Sequence, residues 1–219
     1  MLDLKIKVCG LNSSIAVEAA VDAGADYIGC VFDINSIQHI TPLLARDICI
    51  SVPEYIKKVA VVADTSDYHL DEIITYFKPD VIQLNGTETT EYLQLLRNKF
   101  DKEIAKTITL NSIKDLEEID NYIELVDILL FQPTNHYLYS HGNKKNFFDW
   151  QALSKLKINI PWMISGNISK HNLARIIRAS KAKEINVDQS LNSSLGIKDP
   201  VLIKEFIKAF REFCRYEPN

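Results

Sequence analysis

The sequence lacks paired cysteines and long apolar segments, and each absence excludes a class of protein. Its four cysteines, Cys9, Cys30, Cys49 and Cys214, are widely spaced and form no paired ligand motif. This pattern argues against a disulfide scaffold and against a zinc site, so no metal is predicted. The longest apolar runs have only the length of a β-strand, so we expect no membrane-spanning segment and no membrane partner.

An excess of positive charge is also missing. The chain has 25 Lys and Arg against 29 Asp and Glu, which gives a net charge of −4 at pH 7. No strongly basic surface is predicted, so neither nucleic acid nor an anionic membrane is an expected partner. Residues 1–7 alternate charged and apolar side chains, unlike a signal peptide. Together with the unpaired cysteines, this predicts a cytoplasmic protein.

The chain repeats a short apolar run followed by an amphipathic segment. Eight runs rich in Val and Ile occur at residues 4–9, 27–32, 57–63, 80–84, 103–109, 126–131, 160–165 and 183–188. Runs that are apolar on both faces are typical of buried parallel strands. The intervening segments carry helix signals, such as Thr41-Pro42, Asp199-Pro200 and the stop at Gly24.

Eight strand–helix units in 219 residues predict an α/β protein with a single (β/α)8 barrel, one domain over residues 1–219. An open doubly wound sheet is the alternative, although its commonest form has fewer strands. The longest irregular stretch covers residues 133–148, and long loops in compact domains are often functional. Active sites of such barrels lie at the C-terminal ends of the strands.

The predicted strand ends therefore supply the candidate functional residues. These are Cys9, Asp33, Asp64, Asn85, Thr109, Gln132, Ser165, Gly166, Asn167 and Asp188. Each also has a structural interpretation. A lone cysteine is commonly a small buried apolar group, and Asp64 can cap the next helix. Asp188 can equally form a salt bridge or a turn.

Seven short motifs occur in order over residues 5–210. They are residues 7–11 (KVCGL), 24–32 (GADYIGCVF), 36–42 (SIQHITP), 81–86 (VIQLNG), 148–150 (FDW), 164–168 (ISGNI) with Asn172, and 196–199 (GIKD). Together they resemble the motifs of the phosphoribosylanthranilate isomerase family. The resemblance implies a (β/α)8 barrel that acts in tryptophan biosynthesis without metal or cofactor. It also implies a small phosphosugar substrate, phosphoribosylanthranilate, which undergoes an Amadori rearrangement to 1-(2-carboxyphenylamino)-1-deoxyribulose 5-phosphate.

That chemistry requires one proton donor and one proton acceptor facing each other across the mouth of the barrel. The resemblance implies that Cys9 is the general base. It places Gln132 where the family has its general acid, an aspartate at the end of the sixth strand. An amide can hydrogen-bond a ring oxygen but cannot protonate it. Asp127 does not substitute, because five residues along a strand place it on the opposite face and at the other end.

The positions that the resemblance assigns to substrate binding are also altered. Gln38 replaces an arginine and Asn85 replaces a histidine, whereas Asp188 is kept. The resemblance implies a phosphate site at Gly166 and Asn167, where the family has two glycines. We expect backbone N–H donors there, close to a helix that starts near residues 190–194. Glycine occurs only 7 times in the chain, about half of its usual ~7% share, which agrees with a depleted phosphate loop.

Three functional hypotheses follow. The first is an isomerase in which His136 or His141 supplies the missing acid while Lys144 and Lys145 neutralise the phosphate. The alternative interpretation of these four residues is that they are solvated side chains of the loop. The second is an impaired or inactive barrel that serves as a ligand-binding or interaction module. The third is a structural partner of another tryptophan-pathway enzyme. The expected oligomeric state is a monomer or a homodimer.

Overall fold

Eight parallel strands close into a barrel in the computed structural model, which describes residues 2–134 and 148–217. The strands are β1 (Lys5–Cys9), β2 (Tyr27–Val31), β3 (Lys57–Val62), β4 (Val81–Leu84), β5 (Glu103–Leu110), β6 (Ile128–Pro133), β7 (Trp162–Ile164) and β8 (Glu184–Val187). Strand β8 pairs with β1, so that Val8 lies beside Val187 and the barrel itself has no open edge. This confirms the predicted barrel, excludes the open sheet, and places one strand on each of the eight apolar runs.

Helices follow the strands around the barrel. They are α1 (Ser14–Ala23), α2 (Pro42–Ile48), α3 (Asp67–Tyr76), α4 (Thr90–Lys99), α5 (Ile119–Tyr122), α6 (Leu173–Ser180) and α7 (Pro200–Tyr216), with 3₁₀ turns at Ile113–Glu118, Trp150–Lys155 and Gln189–Leu191. The side chains of Thr41 and Asp199 accept hydrogen bonds from first-turn N–H groups, and each precedes a proline. Gly24 ends α1 in the left-handed conformation. The predicted helix signals at these three positions are confirmed.

The apolar core has two layers, one inside the barrel and one between the strands and the helices. Tyr27, Val59, Val61, Leu130 and Met163 belong to the inner layer. Val8 belongs to the outer layer, which also contains helix residues such as Phe206. Because successive residues of a strand point to opposite faces, β1 directs Lys7 and Cys9 inward together.

The segment after β8 differs from the sequence expectation. No helix starts at residues 190–194. Instead, the 3₁₀ turn Gln189–Leu191 is followed by a hairpin of β9 (Asn192–Ser194) and β10 (Ile197–Lys198). The physical reason lies in the sequence between the two short strands, where Gly196 at a φ of 76° supports a tight turn. The next helix starts only at the cap that Asp199 provides.

Among the residues that the structure describes, no helix is both long enough and apolar enough to cross a membrane. In the same ranges, no group of three or more His, Cys, Asp or Glu side chains is arranged to hold a metal ion.

Candidate active site

One cavity at the C-terminal end of the barrel brings together the sequence-predicted residues of five different segments. Its volume is about 180 Å³, and its lining includes Cys9, Gln38, Asn85, Gln132 and Asp188. The remaining lining residues are Val31, Asp33, Ser36, Val61, Val62, Ala63, Gln83, Ser165 and Asn186. The closed barrel accounts for this convergence, because parallel strands deliver their ends to one rim.

Gly166 and Asn167 line a second, smaller cavity of about 50 Å³ that adjoins the first. Gln132, Ser165, Asn186 and Asp188 line both cavities. The chain turns sharply after β7, with φ values of 98° at Gly166 and 41° at Asn167. This turn lies beside the segment that follows β8, because Ser190 Oγ donates to Ile168 O at 2.5 Å.

A cavity of about 540 Å³ lies elsewhere and does not contain the predicted site. Its lining charges pair with one another, Lys57 with Glu103 at 2.5 Å and Arg97 with Asp127 at 3.1 Å. Asp127 also accepts a hydrogen bond from the backbone N–H of Ile104, near the start of β5. It therefore lies at the end of the barrel away from Gln132, as its position in the sequence predicts.

Cys9 ends β1 on the inner face of the barrel and is only 5% exposed. Burial raises the pKa of its thiol, and the nearby Lys7 cation is the strongest influence that lowers it. Asp188 raises the same pKa further. Since the thiolate is the basic form of cysteine, the charges around Cys9 decide how readily it accepts a proton.

Gln132 lies near the end of β6, where it pairs in register with Thr109 of β5. The residue is exposed toward the cavity that also contains Cys9. No side-chain hydrogen bond joins Gln132 to the residues that the structure describes, so its amide can meet a bound ligand. The amide can donate or accept a hydrogen bond there, but it has no acidic proton.

Asp188, which follows β8, organises a cluster of polar side chains at the mouth. Its Oδ1 accepts hydrogen bonds from Gln38 Nε2 at 2.6 Å and from Lys198 Nζ at 2.5 Å. Lys198 has a fully buried side chain and donates also to Asn192 Oδ1 at 2.6 Å. The salt bridge expected as the structural interpretation of Asp188 therefore exists. Asp188 also lines both cavities, so the residue that makes this salt bridge lies at the mouth.

Gln38 reaches this cluster because Gly10 leaves room for it. A Cβ atom at Gly10 would collide with the Gln38 side-chain amide, and Gly10 has a φ of 76°. The backbone conformation thus favours glycine, and any larger residue here would displace the Gln38 amide. The amide of Gln38 is 8% exposed and is oriented by Asp188 rather than by solvent.

Two inward amides, Gln83 and Asn186, were missed in the sequence. Gln83 Nε2 donates to Asn85 Oδ1 at 2.8 Å. Asn186 Nδ2 donates to Ser165 Oγ at 2.9 Å, while its buried Oδ1 has no hydrogen-bond partner among the described residues. Both lie two residues before a predicted strand-end residue, so the two-residue period of a strand was the signal that could have found them.

Asp64 does not cap the next helix, which corrects the expectation for this residue. Ser66 is the cap of α3, whereas Asp64 Oδ1 accepts from Thr87 N at 2.7 Å and so joins the loops after β3 and β4. A second connection between these loops comes from the buried Glu88, which accepts from Asp64 N at 3.1 Å and from Lys106 Nζ at 2.7 Å. The four loop residues His136, His141, Lys144 and Lys145 lie outside the described residues.

The closed (β/α)8 barrel and the polar cavity at the C-terminal ends of its strands are the architecture of the barrel enzymes. The family model for N-(5'phosphoribosyl)anthranilate (PRA) isomerase matches residues 6–209. The chain therefore belongs to this isomerase family, as its motifs predict.

Curated relatives agree over nearly the full chain. The N-(5'-phosphoribosyl)anthranilate isomerase of Bradyrhizobium diazoefficiens is 34% identical over 211 residues, which are 96% of this chain and 95% of that protein. The protein of the same name from Paramagnetospirillum magneticum is 32% identical over 212 residues, covering 96% and 98%.

Solved structures confirm the fold. Phosphoribosyl anthranilate isomerase from Thermotoga maritima has a TM-score of 0.84 at 24% identity, covering 95% of this chain and 99% of that chain. Another structure, of phosphoribosyl anthranilate isomerase in complex with reduced 1-(o-carboxyphenylamino)-1-deoxyribulose 5-phosphate, has a TM-score of 0.82 at 23% identity with the same coverage.

Proposed function

We propose that this protein catalyses the isomerisation of N-(5'-phosphoribosyl)anthranilate to 1-(2-carboxyphenylamino)-1-deoxyribulose 5-phosphate in tryptophan biosynthesis. The observation that carries the proposal is the position of Cys9 in one cavity with Asp188, Gln38 and Gln132. In this reaction the furanose ring opens to a Schiff base, the C2′ proton is removed, and the resulting enolamine becomes the ketone. Family membership supports the same activity.

Cys9 is the general base in the proposal. Its thiolate accepts the C2′ proton, and its place on the inner face of a rigid strand fixes the sulfur relative to the bound sugar. Burial raises the thiol pKa, so only a small fraction is thiolate in neutral solution. We therefore expect kcat/KM to rise with pH across the neutral range.

Gln132 weakens the catalysis of ring opening. Its amide can donate a hydrogen bond to the ring oxygen but no proton, and the loss of a general acid typically costs ~10²–10⁴ in rate. Asp33 is the other carboxyl group that lines the cavity besides Asp188. Its Oδ1 accepts from Asn35 N at 2.9 Å. The wild-type turnover is expected to be low unless Asp33 or the loop histidines His136 and His141 supply the proton.

The smaller cavity at Gly166 and Asn167 is the proposed phosphate subsite, with Asp188 contacting the substrate between the two cavities. The turn after β7 and the neighbouring segment after β8 can direct backbone N–H groups at an anion. Substitution of Gly166 by Val should abolish phosphosugar binding measured by calorimetry. Unchanged binding would place the phosphate elsewhere.

The decisive experiment is a turnover assay with purified protein that follows the loss of the fluorescent substrate. Cys9→Ala should abolish turnover, whereas Cys30→Ala, which changes a buried cysteine on the neighbouring strand, should retain it. Asp33→Asn tests the remaining carboxyl group of the cavity. Absence of both turnover and phosphosugar binding in the wild-type protein would contradict the proposed function.

A second candidate function is a non-catalytic ligand-binding barrel. The observation that favours it is the number of amides that line the mouth, Gln38, Asn85 and Gln132. In addition, Asn186 Oδ1 has no hydrogen-bond partner among the described residues and is available to a ligand. Substrate binding without turnover, in the presence of an intact Cys9, would identify this function.

We also propose that the chain acts in the cytoplasm as one domain and as a monomer or homodimer, with another tryptophan-pathway enzyme as a further partner. The four cysteines are unbonded, and Cys30 Sγ and Cys49 Sγ lie 3.9 Å apart without a disulfide, which suits a reducing compartment. Sedimentation of the purified protein, alone and mixed with pathway enzymes, tests the state of assembly.

A further inference from the structure

Lys7 is a buried cation for which the proposed reaction has no role. Its side chain points inward from β1, two residues before Cys9, and the residue is only 1% exposed. Its Nζ donates a hydrogen bond to Gln83 Oε1, which is a neutral acceptor. In the parts of the chain that the structure describes, no carboxylate lies within ion-pair distance of Lys7.

Two other buried lysines show what is unusual about Lys7. Lys106 is 3% exposed and pairs with Glu88 at 2.7 Å. Lys198 is also 3% exposed and pairs with Asp188 at 2.5 Å. Buried charges in proteins are normally paired in this way, because an unpaired ammonium in an apolar interior is costly. An anion that forms beside Lys7 would therefore compensate its unpaired charge.

The group placed to become that anion is the Cys9 thiol. Strand β2 passes beside both side chains, with Gly29 in register with Cys9. A Cβ atom at Gly29 would lie 2.9 Å from Lys7 Cε and 3.0 Å from Cys9 Sγ. The two side chains thus converge over the same glycine, and a larger residue there would separate or displace them.

We propose that Lys7 is a positioning residue whose ammonium group stabilises the Cys9 thiolate. The inference rests on the proposed function only in taking that thiolate as the general base. When the thiolate takes the C2′ proton of the substrate it becomes a neutral thiol, and Lys7 takes no part in this proton transfer. Lys7 does not line the cavity and acts on the reaction through Cys9.

A chain of polar side chains holds Lys7 in place. Gln83 Oε1 accepts from Lys7, and Gln83 Nε2 donates to Asn85 Oδ1 at 2.8 Å. Thr107 Oγ1 donates to the same Asn85 oxygen at 2.6 Å. This network orients the ammonium group without neutralising it, because each of its other members is uncharged.

The other titratable groups around Cys9 do not replace Lys7. Asp188 raises the pKa of Cys9 and Lys198 lowers it, but these two form an ion pair with each other and their effects oppose. Tyr27 belongs with Cys9 to the inner layer of the core, and Cys30 follows Gly29 on β2. Neither side chain carries a positive charge that could replace that of Lys7. Burial raises the Cys9 pKa most, and Lys7 is the largest influence that lowers it.

The test is a pH titration of the Cys9 thiolate in the folded protein without substrate. Ultraviolet thiolate absorbance is recorded from about pH 7 to about pH 12 and is compared with that of Cys9→Ala, so that only Cys9 contributes to the difference. Lys7→Met and Lys7→Gln should each raise the midpoint by about one unit or more. Lys7→Arg, which keeps the charge, should leave it close to the wild-type value.

Lys5→Met is the matched control, because Lys5 lies on the same strand and its Nζ is 3.7 Å from Glu184. It should not move the midpoint. Lys7→Gln keeps an amide that can bond Gln83, so it separates loss of charge from loss of the hydrogen bond. An unchanged midpoint in both neutral variants would overturn the inference. A shifted midpoint in a protein without isomerase turnover would instead support the role of Lys7 and contradict the proposed function.

Discussion

Replacing Gln132 by aspartate should increase turnover, because it places a carboxyl group where ring opening requires a proton. Gln132 lines the cavity that also contains Cys9. Its side chain forms no hydrogen bond with the residues that the structure describes, so an aspartate can occupy the site without breaking one. General acid catalysis typically supplies ~10²–10⁴ in rate. This range corresponds to about 3–5 kcal/mol of activation free energy.

The exposure of residue 132 limits how much of this rate gain an aspartate can supply at pH 7. Gln132 is exposed, so a carboxyl group there remains partly hydrated. An aspartic acid with the ordinary pKa of ~3.9 is protonated in about one molecule per thousand at pH 7. We therefore expect Gln132→Asp to raise kcat about tenfold at pH 7, with a larger gain at about pH 5. The raised pKa of Cys9 opposes this gain at low pH, because the base is then protonated.

The assay follows the loss of substrate fluorescence over this pH range. Gln94→Asp, which adds the same charge to the exposed surface of α4, is the control and should leave kcat unchanged. In a Cys9→Ala background, Gln132→Asp should give no gain. Unaltered kcat in a Gln132→Asp variant that still binds substrate would refute the reasoning. Substantial wild-type turnover that His141→Ala abolishes would show that the proton comes from the loop.

Three further perturbations test the packing and electrostatics of the barrel. Gly29→Ala should lower kcat and cost about 1–3 kcal/mol in urea unfolding, because its Cβ would crowd Lys7 and Cys9 at 2.9 and 3.0 Å. Lys106→Met should cost about 3–5 kcal/mol in the same measurement, because it leaves a buried carboxylate without its cation. Burial raises the pKa of Glu184, so its ionisation destabilises the fold as pH rises through that pKa. Glu184→Gln should therefore raise the urea midpoint at pH 7, with little change near pH 4; a lower midpoint at pH 7 would contradict this sign.

The sequence predicted the strands and most helix starts because their signals are local. Each barrel strand is covered on both faces, which demands a continuous apolar run. Capping pairs such as Thr41-Pro42 act within one turn, so they are visible without tertiary structure. The order of strand and helix then fixes the barrel and places Cys9, Asn85 and Gln132 at one rim.

The features that the sequence did not predict depend on contacts between distant segments. The hairpin after β8 replaced an expected helix start, and Asp64 bonds Thr87 instead of its own helix. Lysine normally indicates exposure, so the burial of Lys106 could not be expected before its partner from the loop after β4 was known. The roles of Cys9, Asp188 and the altered positions remain predictions that the assays above test.

The amides around the mouth have a consequence for redesign. An Asn or Gln side chain exchanges its donor and its acceptor when its terminal group rotates by half a turn, with almost no change in shape. Gln132 has no side-chain hydrogen bond to the described residues, so it can display either hydrogen-bonding code on a fixed scaffold, at constant net charge. Asp188 orients Gln38, and Gln83 and Thr107 orient Asn85. Selectivity for a new polar ligand can therefore be rewritten by rotation at Gln132 while the amides around it and the barrel stay fixed.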